Sequence, residues 1–142
     1  MEFPACSTVA HLVGAAAVLT CIANYMIEAP HLLLIPESYG ALQLMKTVAY
    51  LGTYIGGITL TGSLIAFGKL QGLLHSTPLL LPMRNALNAS LATLSAGCLI
   101  GLLSLGPEAV GPGLALLIGG AGIAGGISGL TLTAAIGGKL FY

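Results

Sequence analysis

His11 is the residue best placed to do chemistry, because it stands at the start of an apolar run with no Lys, Arg or Glu before Glu28. Burying a charge in a bilayer costs about 2.5–3.5 kcal/mol on insertion scales, whereas an imidazole changes charge near neutral pH. A histidine at that depth is therefore a proton-path candidate, against the simpler role of bonding a neighbouring carbonyl. His31 and His75 fall in connectors, and no two histidines are three or four residues apart, so no zinc site is expected. The chain has no Asp, and no Glu falls inside an apolar run, so it supplies no paired carboxylates for acid–base catalysis within the bilayer. Serines and threonines are plentiful, yet none sits in a G-x-S-x-G setting. Cys6, Cys21 and Cys98 are odd in number and dispersed, which fits small packing residues better than a disulfide framework or a metal cluster. No catalytic residue is expected from this chain alone.

Two short motifs have the spacing of binding sites. Gly120-Ala-Gly122-Ile-Ala-Gly125 spells G-x-G-x-x-G, but that fingerprint needs a strand before it and an acidic residue about 20 positions later. Here an apolar run surrounds it and the sequence ends at Tyr142, so helix packing is expected and no cofactor is assigned to the chain. Asn88-Ala-Ser90 matches the N-glycosylation sequon, but it stands near the start of an apolar run, where Asn85 and Asn88 are better suited to hydrogen bonding across helices. Net charge is zero, which gives no field for attracting nucleic acid.

The elements that must position these groups are set by composition. Mean hydropathy is +1.01 and only 6% of residues are charged, against roughly 25% in soluble domains. Runs of about 20 apolar residues cross a hydrocarbon core of about 30 Å. Four are present: 9–27, 47–67, 85–105 and 114–138, with short tails at 1–8 and 139–142. This predicts an all-α membrane protein, a bundle of about four transmembrane helices in contact with lipid. The first helix is expected to end near Pro30, followed by a connector to Lys46; a second connector runs from Gly68 to Arg84, and a tight turn from Gly106 to Gly113. With four crossings, Lys69, Arg84 and Lys139 share one side with Glu2, while Glu28, Glu37, Lys46 and Glu108 share the other. The positive-inside rule puts the first side in the cytoplasm or mitochondrial matrix. No signal or transit peptide is evident at the N-terminus.

Small residues recur at three- and four-residue spacing in every run and so form one face of each helix. Gly14, Gly52, Gly56, Gly97, Gly101, Gly122, Gly126 and Gly129 are the glycines of these faces expected to mediate packing. Close backbone approach of that kind drives association in lipid.

The segment TVAYLGTYIGGITLTGSLIAFGKLQG, Thr47 to Gly72, closely resembles the membrane domain of proton-translocating NAD(P) transhydrogenases of the mitochondrial type. The resemblance continues through Pro78-Leu-Leu-Leu-Pro82, includes Leu12 to Ala23, and reappears at Leu130-Thr-Leu-Thr-Ala-Ala-Ile-Gly-Gly138. It implies an inner-membrane machine, in mitochondria the inner membrane, that couples hydride transfer from NADH to NADP with proton movement. In such enzymes NAD and NADP are held by soluble nucleotide-binding domains. The implied partners are those domains, the remaining transhydrogenase helices and, in the complete enzyme, a second copy as a homodimer. Two departures stand out. The family's proton-path histidine falls where this chain has Ala10, and His11 stands where the family has serine, a shift of about 100° around a helix. After Gly138 the family continues with an Asp-containing segment, whereas Lys139-Leu-Phe-Tyr142 follows here. The expectation is a fragment of the proton-translocating membrane domain, inactive in hydride transfer alone. The alternatives are a noncatalytic membrane protein that packs on full-length transhydrogenase or another helical partner through Gly52, Gly56, Gly122 and Gly126, or a small oligomeric transporter.

Overall fold

The computed structural model describes residues 3–35, 37–74, 82–106 and 109–134. They form α1 (Phe3–Leu33), α2 (Tyr39–Leu70) and α3 (Arg84–Ser104), then a rod made of α4 (Val110–Leu116), a π-helical segment (Leu117–Ile123) and α5 (Ala124–Ala134). Four helices are long and apolar enough to cross a membrane: Thr8–Leu32, Tyr39–Leu70, Arg84–Ser104 and Val110–Thr133. The chain is an all-α bundle whose outer surface is apolar, with side chains such as Leu19, Leu44, Leu94 and Ile100 exposed. In water such a surface would aggregate; in lipid it is the solvated face.

The first two helices are longer than hydropathy alone suggests. Helix α1 begins at Phe3, inside the stretch expected as a tail, and runs through Pro30 to Leu33. Proline so near the C-terminus removes a single ladder bond, which the rest of the helix tolerates. Ser38 closes the connector by donating its hydroxyl to the carbonyls of Leu32 (2.7 Å) and Ile35 (2.8 Å). Helix α2 starts at Tyr39, so Leu42, Gln43 and Lys46, expected in a connector, are helical. His75, the Leu79–Leu81 run, Glu108, Gly137, Gly138 and the 139–142 tail lie outside the described residues.

Glycine sets which helices meet. A Cβ at Gly14 would lie 2.7 Å from the Leu60 backbone nitrogen, and one at Gly56 would lie 2.9 Å from Val18 and 3.1 Å from the Gly14 carbonyl. Gly52 faces the Cys21 sulfur. Helices α1 and α2 therefore touch backbone to backbone along this line. The opposite side of α2 meets α5: a Cβ at Gly125 would be 2.5 Å from the Tyr54 carbonyl, and Gly129 faces Thr61 and the Ile58 carbonyl. Gly126 is 3.7 Å from Thr61 by the same construction, Gly101 is 3.7 Å from Leu116, and Gly122 presents its carbonyl to Gly57. An added methyl at Gly122 would meet nothing within 4 Å, and the same holds at Gly97, which is exposed among the described residues. Gly97 lies on the outer side of α3, away from the other helices. The core sits between α2, the π segment and the ends of α1 and α3, formed by Tyr25, Ala29, Ala49, Tyr50, Leu102, Leu117 and Ala121.

Helix α3 joins this core through Leu102, Cys98 and Leu99 and through polar links. Tyr50 Oη donates to the Ser95 carbonyl (2.8 Å) and lies 2.9 Å from its hydroxyl. Thr131 donates to Asn88 Oδ1 at 2.6 Å, so Asn88 serves the cross-helix role expected of it. The hydroxyls of Thr47, Thr53, Thr59, Thr61 and Thr133 donate to carbonyls four residues back in their own helices, which satisfies them where water is scarce.

Candidate functional site

His11 projects from the first half of α1 toward α2, half-buried, where the Gly14–Gly56 approach brings the two backbones together. Its Nδ1 lies 3.4 Å from the Leu60 carbonyl, a group that can only accept, so Nδ1 carries the proton in that arrangement. Ser63 donates to the same carbonyl at 2.9 Å. In the neutral ring Nε2 then keeps a lone pair for an incoming proton. Thr8, His11, Ser63, Leu64 and Phe67 line a cleft of about 130 Å³ whose open wall is apolar. Ala10 is also half-buried, one position earlier on the same helix.

Lys46 is the buried group that the sequence reading placed outside the membrane helices. It is 4% exposed, and its Nζ donates to the carbonyls of Leu105 (3.0 Å) and Leu102 (3.4 Å) at the end of α3. Its signal was present: nothing between Gly40 and Thr47 breaks a helix, so the apolar pattern of α2 extends backwards through it. At the other end of α2, Lys69 Nζ donates to Thr133 near the end of α5 (3.4 Å). Among the described residues no set of three His, Cys, Asp or Glu side chains is arranged to hold a metal, and Cys6, Cys21 and Cys98 are free thiols.

A membrane bundle with a single imidazole facing a cleft is common to many transporters and enzymes, and the comparisons with known proteins decide between them. The family described as NAD(P) transhydrogenase beta subunit matches residues 3–140. The chain belongs to that family. Two curated proteins from Rhodospirillum rubrum, each named NAD(P) transhydrogenase subunit beta, are 44% identical to it over 80 residues. That alignment covers 52% of this chain and 16% of each relative, so the chain spans only a small part of their length. Its apolar helices mark it as membrane-domain sequence of the family.

The family implies NAD(P) in the complete enzyme, and the described residues do not fit such a ligand. Gly120–Gly125 lies within the π segment and the start of α5 rather than in a loop between strand and helix. A Cβ at Gly120 would lie 2.6 Å from Cys98 and 2.8 Å from the Tyr50 hydroxyl, and Gly125 meets Tyr54. These glycines admit neighbouring helices and leave no cradle for a pyrophosphate.

Proposed function

We propose that this chain is part of the proton-translocating membrane domain of an NAD(P) transhydrogenase, whose complete form couples hydride transfer from NADH to NADP with proton movement. The family match over residues 3–140 carries the reading, and the His11 cleft gives it a chemical group. In this reading the nucleotides bind to other domains, and the chain alone transfers no hydride. Its partners are lipid, the remaining transhydrogenase helices and the nucleotide-binding domains, with the complete enzyme a homodimer. The proposed location is the mitochondrial inner membrane, on the resemblance to the mitochondrial type; the curated relatives named above are bacterial.

At the residue level, His11 holds a proton on Nδ1 against the Leu60 carbonyl and accepts another on Nε2, which faces the cleft side of the α1–α2 contact. The reading in which Gly52 and Gly56 recruit a separate helical partner is disfavoured, because both glycines are already packed against α1.

The test is the size of the native polypeptide, detected in source membranes with an antibody raised to the sequence 68–84. A band much larger than 14.2 kDa, enriched in the mitochondrial fraction and associated with NADP reduction by NADH, supports the proposal. A sole band at 14.2 kDa with no such association overturns it.

A further inference from the structure

Helix α3 ends against α2, which supplies donors to several of its last carbonyls. The last four carbonyls of any α-helix lack partners within it, and each one left bare in a low-dielectric interior costs on the order of several kcal/mol. At the end of α3, the Gly101 carbonyl is met by the Leu105 N–H (3.1 Å) and by the Ser104 hydroxyl (2.9 Å). The next ones are met from another helix. Lys46 Nζ reaches Leu102 at 3.4 Å and Leu105 at 3.0 Å, and Gln43 Nε2 reaches Leu103 at 3.0 Å. Gln43 is held in place by Tyr39, whose hydroxyl lies 2.9 Å from the same nitrogen. Leu102 is fully buried and Lys46 nearly so, so the cap runs from a buried bond at Leu102 to part-buried ones at Leu103 and Leu105.

The cap is cationic where the helix end is negative. Aligned peptide dipoles leave about half a negative charge at a helix C-terminus, and Lys46 places its amine against it, beside a narrow crevice shared with Tyr25, Ala29, Leu42, Gly106, Ala109 and Val110. Further along, α2 and α3 separate around a groove of about 210 Å³ lined by residues that include Tyr50, Tyr54, Ser95 and Leu99. The attachment of α3 to α2 is thus concentrated in a few polar points, of which this cap is the most highly charged.

We infer that Lys46 and Gln43 form a latch in which α2 caps the C-terminus of α3 from outside, fixing the end of α3 and, beside it, Gly106, Ala109 and Val110. The latch is independent of the proton-path reading of His11, which lies near the opposite end of the bundle. Lys46 acts as a positioning residue whose amine serves as a donor, since its acceptors are carbonyls alone.

Amide hydrogen exchange on the 142-residue chain in lipid nanodiscs tests the latch. With Lys46→Met, exchange at Leu105, Gly106, Ala109, Val110, Gly111 and Gly113 should rise at least tenfold, while amides on the α1–α2 line around Gly14 and Gly56 stay within twofold. Lys46→Arg should keep most of the protection, since a guanidinium donates to the same carbonyls. If Lys46→Met does not insert, Gln43→Leu, at a half-buried site, decides the matter with an expected threefold rise confined to the same segment. Unchanged exchange in the variant that folds, or a rise spread evenly over all helices, overturns the inference.

Discussion

At the scale of single residues, His11 and Lys46 answer the same problem in different ways. Each is a titratable group inside an apolar bundle, and each meets carbonyl oxygen: one carbonyl at the edge of a cleft for His11, two carbonyls beside a narrow crevice for Lys46. Under the proposed function, His11→Ala in the complete enzyme should slow proton uptake by vesicles at least tenfold, equivalent to about 1.4 kcal/mol in the barrier, with the protein still assembled. Equal uptake would remove His11 from the path. The double change Ala10→His with His11→Ser restores the family's order, and it should recover at least half of the uptake lost in His11→Ala; no recovery would mean the path in this chain uses the His11 position itself. Tyr50→Phe removes two hydrogen-bonding partners in the interior and should lower stability by about 0.5–1.5 kcal/mol, read from the unfolding midpoint in detergent. His11 was legible in the sequence because it is an isolated imidazole in an apolar run. Its nearness to Leu60 was not, because that depends on the register in which α1 crosses α2. Lys46 was obscured by its reading as a flanking charge, a residue type that ordinarily marks the end of a membrane helix.

At the scale of elements, hydropathy revealed the four helices but not their ends or their internal geometry. The extension of α1 past Pro30 is supported by local capping by Ser38, which no apolar period encodes. The π-helical turn at Leu117–Ile123 coincides with three glycines and brings Gly120 against Cys98 and Tyr50; its wider spiral answers a packing demand from neighbouring helices, which is invisible along the chain. Glycine spacing showed that the helices approach closely without showing which pairs do so. Two substitutions separate these cases. Gly129→Val should cost about 1–3 kcal/mol, since the new side chain drives into Thr61 and the Ile58 backbone. Gly97→Ala, on the open side of α3, should leave stability within about 0.5 kcal/mol or raise it slightly, because alanine is the better helix former. Thermal unfolding of both variants in one detergent checks the contrast; equal losses would mean that α3 packs through the face now seen as exposed.

At the scale of the whole molecule, α2 holds α1 along one side and α5 with the π segment along another, while α3 packs mainly against the α4–π–α5 rod and is linked to α2 at Ser95 and at its capped end. The chain alternates direction, so the start of α1, the end of α2 and the end of α5 share one face, with the end of α1 and the end of α3 on the other. This up-and-down order followed from the number of apolar runs, whereas the central place of α2 did not, because every run carries a small-residue face of similar quality. The two lysines of α2 have a further consequence. Each is tethered to the end of a different helix, and at about 1.5 Å per residue they stand roughly 34 Å apart, close to the hydrocarbon depth of a bilayer. Since neither amine can move without abandoning its carbonyls, α2 is a ruler with fixed marks, unable to accommodate a thin membrane by simply sliding. The bundle should therefore be choosy about acyl-chain length, most heat-resistant in bilayers of ordinary depth and weakened in short-chain lipid, where it must tilt as a body or give up a tether.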